Sequence, residues 1–139
     1  MAEERGSVLM LLPAAVLIFL VLGALCVDYG AVYVAKRELT DAAAAAASDA
    51  ATRSLDVDLL YSTGELRLVP ALAAEVARSS LAAKGLERLD PQLDGVEIDG
   101  TVVTVRVRGR ARHLFARAVP GGDDQQEVVA TGTAEASTE

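Results

Sequence analysis

Tryptophan is absent from this 139-residue chain, and only two Phe and three Tyr supply aromatic surface. So few rings leave no material for an aromatic-lined cleft or a base-stacking platform. There is a single cysteine, Cys26, and a single histidine, His113. One cysteine excludes an intramolecular disulfide and leaves the redox compartment unread. One imidazole and one thiol do not make a nitrogen–sulfur metal centre or an activated nucleophile–base pair, so His113 reads as an ordinary surface or interface residue. No phosphate-binding glycine loop occurs, since Gly121-Gly122 follow Pro120 in a turn context. Thirteen basic residues face twenty acidic ones, a net charge of −7. A diffuse acidic balance argues against nucleic acid as a partner. The expectation is a protein that is no enzyme, with no cofactor, no metal and no evident small-molecule substrate.

What the chain has in quantity is one long apolar run. Val8 to Val27, "VLMLLPAAVLIFLVLGALCV", carries no charge. At 1.5 Å per residue it suffices to cross a hydrocarbon core of roughly 30 Å. Pro13 falls in its first turns, where a missing N–H costs little. A cleaved signal peptide is the competing reading. Its apolar region is about 7–15 residues behind a basic start, whereas this run is longer and Glu3 and Glu4 sit beside Arg5. The run therefore reads as a membrane anchor. The expected organisation is a short cytoplasmic tail (1–6), a transmembrane segment (7–27), an alanine-rich helical extension (28–54) and a small extracytoplasmic head (55–137). Orientation is not set by charge. Arg5 is offset by two glutamates while Lys36 and Arg37 follow the span, which by the positive-inside rule leans toward a cytoplasmic C-terminus.

After Asp28 comes a stretch built on alanine, with six in a row from Ala42 to Ala47. Alanine is the best helix former, and Glu, Lys, Arg and Leu are close behind. The pattern predicts one helix from about Ser7 to Arg53, roughly 70 Å long. Leu39, Ala42, Ala43, Ala46, Ala50 and Arg53 share one stripe by i, i+3, i+4 spacing. An alanine stripe contributes little transfer free energy, but it lets another element approach closely. Such a helix either spaces a domain from the lipid or forms a packing seam, for its own domain or for neighbouring subunits.

This part of the chain also resembles a known family. Arg5-Gly6-Ser7, an apolar span with the early Pro13, Asp28 and Gly30, then Tyr33, Lys36-Arg37, Leu39, Asp41 and the alanine stretch with Asp49 follow the order seen in the TadE/TadG-like proteins of tight-adherence (Flp-type) pilus assembly. The resemblance covers about fifty residues. It implies a bacterial, membrane-anchored, minor-pilin-like component with its N-terminus cytoplasmic and its C-terminal domain outside. Its partners would be the membrane and other minor pilins or pilus-assembly proteins. Type IV-like prepilins are cut after a glycine and carry a glutamate five residues on. Gly6-Ser7 is the possible processing site here, but the fifth residue after Gly6 is Leu11. The Asp-x-Ser-x-Ser metal motif of larger TadG-like members does not occur. Asp28, Tyr29, Gly30, Tyr33, Arg37, Leu39, Ala43 and Ala46 are the expected helix-packing and partner positions.

Beyond the rod, residues 54–68 read as a break, with Ser62-Thr63-Gly64 as a turn and Asp56 and Asp58 on a solvated acidic loop. A second, amphipathic helix is expected over Pro70–Lys84, stopped by Gly85, with Val69, Leu72, Ala73, Val76 and Ser80 on its inner face. From Gly95 the period drops to two. A hairpin turn at Asp99-Gly100 joins two strands, and residues 127–136 give a third. On the second strand Val103, Val105, Val107 and Gly109 point one way, while Thr104, Arg106, Arg108, Arg110 and Arg112 point the other. The arginine face is either a solvated sheet surface or a contact for anionic lipid or an acidic partner. Phe115, with Leu114, Val119 and Arg117, either rests at a membrane interface or plugs the core. The fold class is α+β, pilin-like: a long transmembrane helix continuing outside the membrane, a second helix and a small three-stranded antiparallel sheet. An anchored envelope binding module that uses the arginine face is the alternative function. A cleaved secreted protein is a third.

Overall fold

The computed structural model describes residues 3–118 and 120–137, with side-chain surroundings given from residue 11 onward. Helix α1 runs without interruption over Glu3–Arg53, 51 residues that include Pro13, and is about 76 Å long. Its two halves differ in surroundings. Leu11 to Val27 lies bare on nearly every face. From Asp28 onward the helix enters a folded head. Two short elements follow, α2 (Val57–Thr63) and α3 (Pro70–Ala83). A 3-10 turn at Glu87–Leu89 then leads into β1 (Gln92–Asp99), β2 (Val102–Arg112) and β3 (Gln125–Glu135). The strands form one antiparallel meander in the order β1-β2-β3.

The outer half of α1 lies across β2 and β3 and also packs on α3, and α3 in turn reaches β1. The alanine seam is thus occupied by the chain's own sheet. Leu39, Ala42, Ala43, Ala46, Ala47, Ala50 and Ala51 are buried against Val103, Val105, Val107, Val128 and Ala130. Arg53 is exposed, contrary to its place on the expected stripe. The buried face follows the sheet's twist toward Ala47, Ala51 and Ser54 instead, and leaves Arg53 on the solvent side of the last turn.

The approach is close enough for backbone to meet backbone. A Cβ added at Gly132 on β3 would lie 2.2 Å from the Ala43 carbonyl carbon and 2.3 Å from the Ala44 nitrogen. On β2, a Cβ at Gly109 would stand 3.1 Å from Leu39 Cδ1. Glycine at these inward positions and alanine on the helix solve one problem together: they bring helix and sheet axes near enough to exclude water with little side-chain volume.

Residues 54–69 differ from the expected open loop. The chain leaves α1 at Ser54, which is buried and donates its hydroxyl to the Ala50 carbonyl at 2.5 Å. It returns at Leu68, bridged to Leu55, with Asp56 N–H donating to the Arg67 carbonyl at 2.8 Å. In between, α2 forms because Asp56 caps it, accepting the Leu59 N–H at 3.1 Å, and Asp58 lies in the first turn. Both carboxylates sit where the helix dipole favours them. Gly64 ends α2 with φ of 76°.

Helix α3 buries Ala73, Ala77 and Leu81, an i, i+4, i+8 line. The seam is displaced from the expected face, and Leu72 lies at its exposed edge. Asp49 on α1 accepts the Ser80 hydroxyl at 2.6 Å, locking the two helices. In the hairpin, Asp99 pairs with Val102, so the two-residue loop is Gly100-Thr101, one position later than expected. Gly100 has φ of 61° and stands first in the loop, the place a type II′ turn reserves for glycine. Asp94 forms a bulge where the β1–β2 register shifts between Leu93 and Gly95.

Candidate functional site

The junction between bare helix and head gathers Asp28, Tyr29, Gly30 and Phe115 from among the sequence-selected residues. Asp28, the first charge after the apolar run, is almost wholly buried. Its carboxylate receives the backbone N–H groups of three successive residues. Leu114 donates to Oδ1 at 2.7 Å, Phe115 to Oδ1 at 3.0 Å and Oδ2 at 3.2 Å, and Ala116 to Oδ2 at 2.7 Å. These donors open a 3-10 turn over Ala116–Ala118. Their alignment makes a small nest for an anion, and the carboxylate fills it. Burial by itself would raise the Asp28 carboxyl. The donations from Phe115, Leu114 and Ala116, with a pull from neighbouring His113, outweigh it and hold the group below its ordinary range. His113 contributes its own N–H to the Asp124 carbonyl at 3.0 Å, while its Nδ1 is buried without a partner.

Asp28 therefore works inside the chain as a clip between α1 and the β2–β3 connection. Leu39, Ala43 and Ala46 likewise pack within the head, so replacing the two alanines would disturb the core before it tested any neighbour. The other positions expected at a partner surface lie outward. Tyr29 is 75% exposed and Tyr33 69%, one turn apart on one face, with Arg37 a turn further and also exposed. Gly30 lines a shallow, mainly apolar groove of about 440 Å³ between α1 and the sheet's lower edge. Ala31, Val34, Leu89, Glu38, Arg88 and Arg112 also line it. Glu38 and Arg88 are ion-paired. Gly6 and Ser7 are helical; their side-chain surroundings lie outside the described residues.

The arginine ladder does stand on the outer face of the sheet, as the alternation predicts, but three of its four cations face acids of the same chain. Arg106 is 3.8 Å from Glu97. Arg108 is 2.8 Å from Asp94 and 3.7 Å from Glu127. Arg110 is 3.9 Å from Asp90. Cross-strand pairing of this kind makes the face a mixed-charge surface rather than a cationic one. Phe115 does not plug the core: it is 47% exposed, and Leu114 beside it 54%. The Asp28 clip holds the backbone of 114–116 at the helix edge instead. Val119 lies outside the described residues.

The backbone donors of 114–116 and the contact glycine Gly132 were not singled out from sequence, and Gly109 was placed on the inward face without its close approach to the helix. The glycines carried a usable signal, since each interrupts an inward-facing apolar register on its strand. The clip carried none, because a carboxylate 86 to 88 residues from its donors leaves no local pattern.

The class of protein is set by these features: an α+β head built directly on the outer half of a helix whose inner half is long and apolar enough to be a membrane anchor. The family model described as putative Flp pilus-assembly TadE/G-like matches residues 6–53. That match covers the apolar stretch and the alanine seam, and it ends at the residue where α1 ends. No curated protein and no solved structure matches the chain. The similarity is thus confined to the helical part of the chain.

Proposed function

We propose that the protein is a non-enzymatic, membrane-anchored, pilin-like accessory component of a tight-adherence (Flp-type) pilus or a related secretion assembly. The observation that carries this reading is the division of α1. One half has no cover from the chain's own head, and the other half is the floor of that head. Together with the family match over residues 6–53, it supports the reading of a subunit displayed at a membrane surface. Its N-terminus lies in the cytoplasm and its head outside, and its work is contact. Other minor pilins or pilus-assembly proteins are the partners. Tyr29, Tyr33 and Arg37 are the contact positions, because they are large, lie just outside the span and are not used by the chain's own fold. Gly6-Ser7 is the place where a prepilin peptidase would cut.

The test is co-purification from membranes that also contain the assembly's other components. Tyr33→Ala leaves the melting temperature unchanged and lowers recovery of a partner about tenfold, the effect of losing an aromatic anchor. Unchanged recovery for Tyr33→Ala, together with unchanged recovery for Tyr29→Ala, overturns the contact surface.

A further inference from the structure

The Asp28 clip sets the height of the 113–118 connection relative to the apolar half of α1, and this has a consequence for Leu114 and Phe115. The Leu114 backbone nitrogen is 2.7 Å from a side chain carried by the residue directly after Val27. The Ala116–Ala118 turn packs on α1. Ala24 lies one turn nearer the inner end of the helix than Asp28, on the same face. It is the one position between 11 and 27 that is partly buried rather than exposed. The two largest apolar side chains of the connection are therefore held level with the last turn of the apolar run, and both are about half exposed. Arg117 follows two residues later.

We infer that Leu114 and Phe115 form a second membrane contact: they enter the lipid interface beside the span and fix how the head stands on the bilayer. The occupant is the upper acyl-chain and headgroup region. The inference rests on the reading of the apolar half of α1 as a span, because whatever surrounds Leu25 and Val27 also surrounds residues at the same height. Apolar side chains flanked by arginine suit that boundary. The arginine ladder takes no part, since most of its charge is already paired with Glu97, Asp94, Glu127 and Asp90. Asp28 acts as a positioning residue. It satisfies three backbone donors that would otherwise need water at a place where water is scarce, and so lets a non-helical segment lie against lipid.

The chain contains no tryptophan, so a single introduced tryptophan reports its own surroundings. Full-length protein is reconstituted into phosphatidylcholine vesicles with and without lipid brominated high on the acyl chain. Four variants are compared: Leu17→Trp in mid-span, Phe115→Trp, Tyr61→Trp at the far end of the rod, and Phe115→Trp combined with Asp28→Asn. The expected result is strong quenching at position 17, at least about half as much at 115 with a blue-shifted emission, and none at 61. Quenching at 115 then falls at least about twofold when Asp28 is neutralised, with helix content by circular dichroism unchanged. Absence of quenching at 115 while 17 is quenched overturns the second contact and leaves the anchor standing. Absence of quenching at 17 overturns the span and this inference with it. Undiminished quenching at 115 in the Asp28→Asn background overturns the positioning role.

Discussion

At the scale of single residues, two side-chain decisions hold the head to its helix. Asp28 is the first. Its carboxyl titrates lower in the folded chain than its ordinary value of 3.8, so the ionised form is the one that folding favours. The clip's contribution is fully present above the ordinary value and is lost as pH falls through the depressed folded value. Thermal melts of wild type and Asp28→Asn in detergent therefore differ by a constant amount well above the ordinary value of 3.8 and converge as the pH falls below it, through the depressed folded value. A difference that grows in acid contradicts the clip. Gly132 is the second decision. An alanine there puts a carbon 2.2 Å from helix backbone, which has no flexible end to yield. Overpacking of side chains alone costs typically 1–3 kcal/mol, and backbone collision sits at or beyond the upper end, so Gly132→Ala is expected to lose about 3 kcal/mol or more. Gly23→Ala, where the added carbon meets nothing within 4 Å, serves as the control and melts as wild type does. Equal melting of the two variants would sink the close-approach argument.

At the scale of elements, α1 does three jobs along one continuous hydrogen-bonded rod: anchor, junction and core floor. Its reach was legible in the sequence because nothing between Pro13 and Arg53 breaks a helix and alanine strongly favours one. The stripe through Leu39, Ala43 and Ala46 was legible for the same reason, as a periodicity. What it packs on was not. A row of small side chains states that something comes close, but the identity of that neighbour depends on where the sheet lies. The α2 turn was missed because a seven-residue helix has little periodicity, and it depends on one cap, Asp56, together with the Leu55–Leu68 bridge. The hairpin slipped one residue because Asp99 and Gly100 look like a turn by composition, while pairing of Asp99 with Val102 places the loop at Gly100-Thr101.

At the scale of the whole molecule, the head has no core without the outer half of α1. Leu39 and the alanines supply one wall of it, and β2 and β3 supply the other. A chain beginning at residue 28 is therefore expected to melt cooperatively in aqueous buffer, while one beginning at residue 54 gives no cooperative transition by circular dichroism. A folded head in the second chain would separate helix from domain and contradict this architecture. The arrangement also makes the rod rigid where it leaves the apolar stretch: the Asp28 clip, the Asp49–Ser80 bond and the Glu38–Arg88 ion pair tie its outer half at three heights. Motion of the head is then motion of the helix.

The sequence by itself determined the elements that depend on neighbours a few residues apart: the apolar run, the helix that continues it and the alternation of β2. Local chemistry is sufficient there, because helix hydrogen bonds and strand periodicity are set within one or two turns. Only the tertiary structure decided that the alanine seam faces the chain's own sheet, that the arginines are largely paired, and that Asp28 holds residues 114–116. Each of these joins groups on different elements, and such contacts exist only once the chain has closed on itself and set those elements side by side.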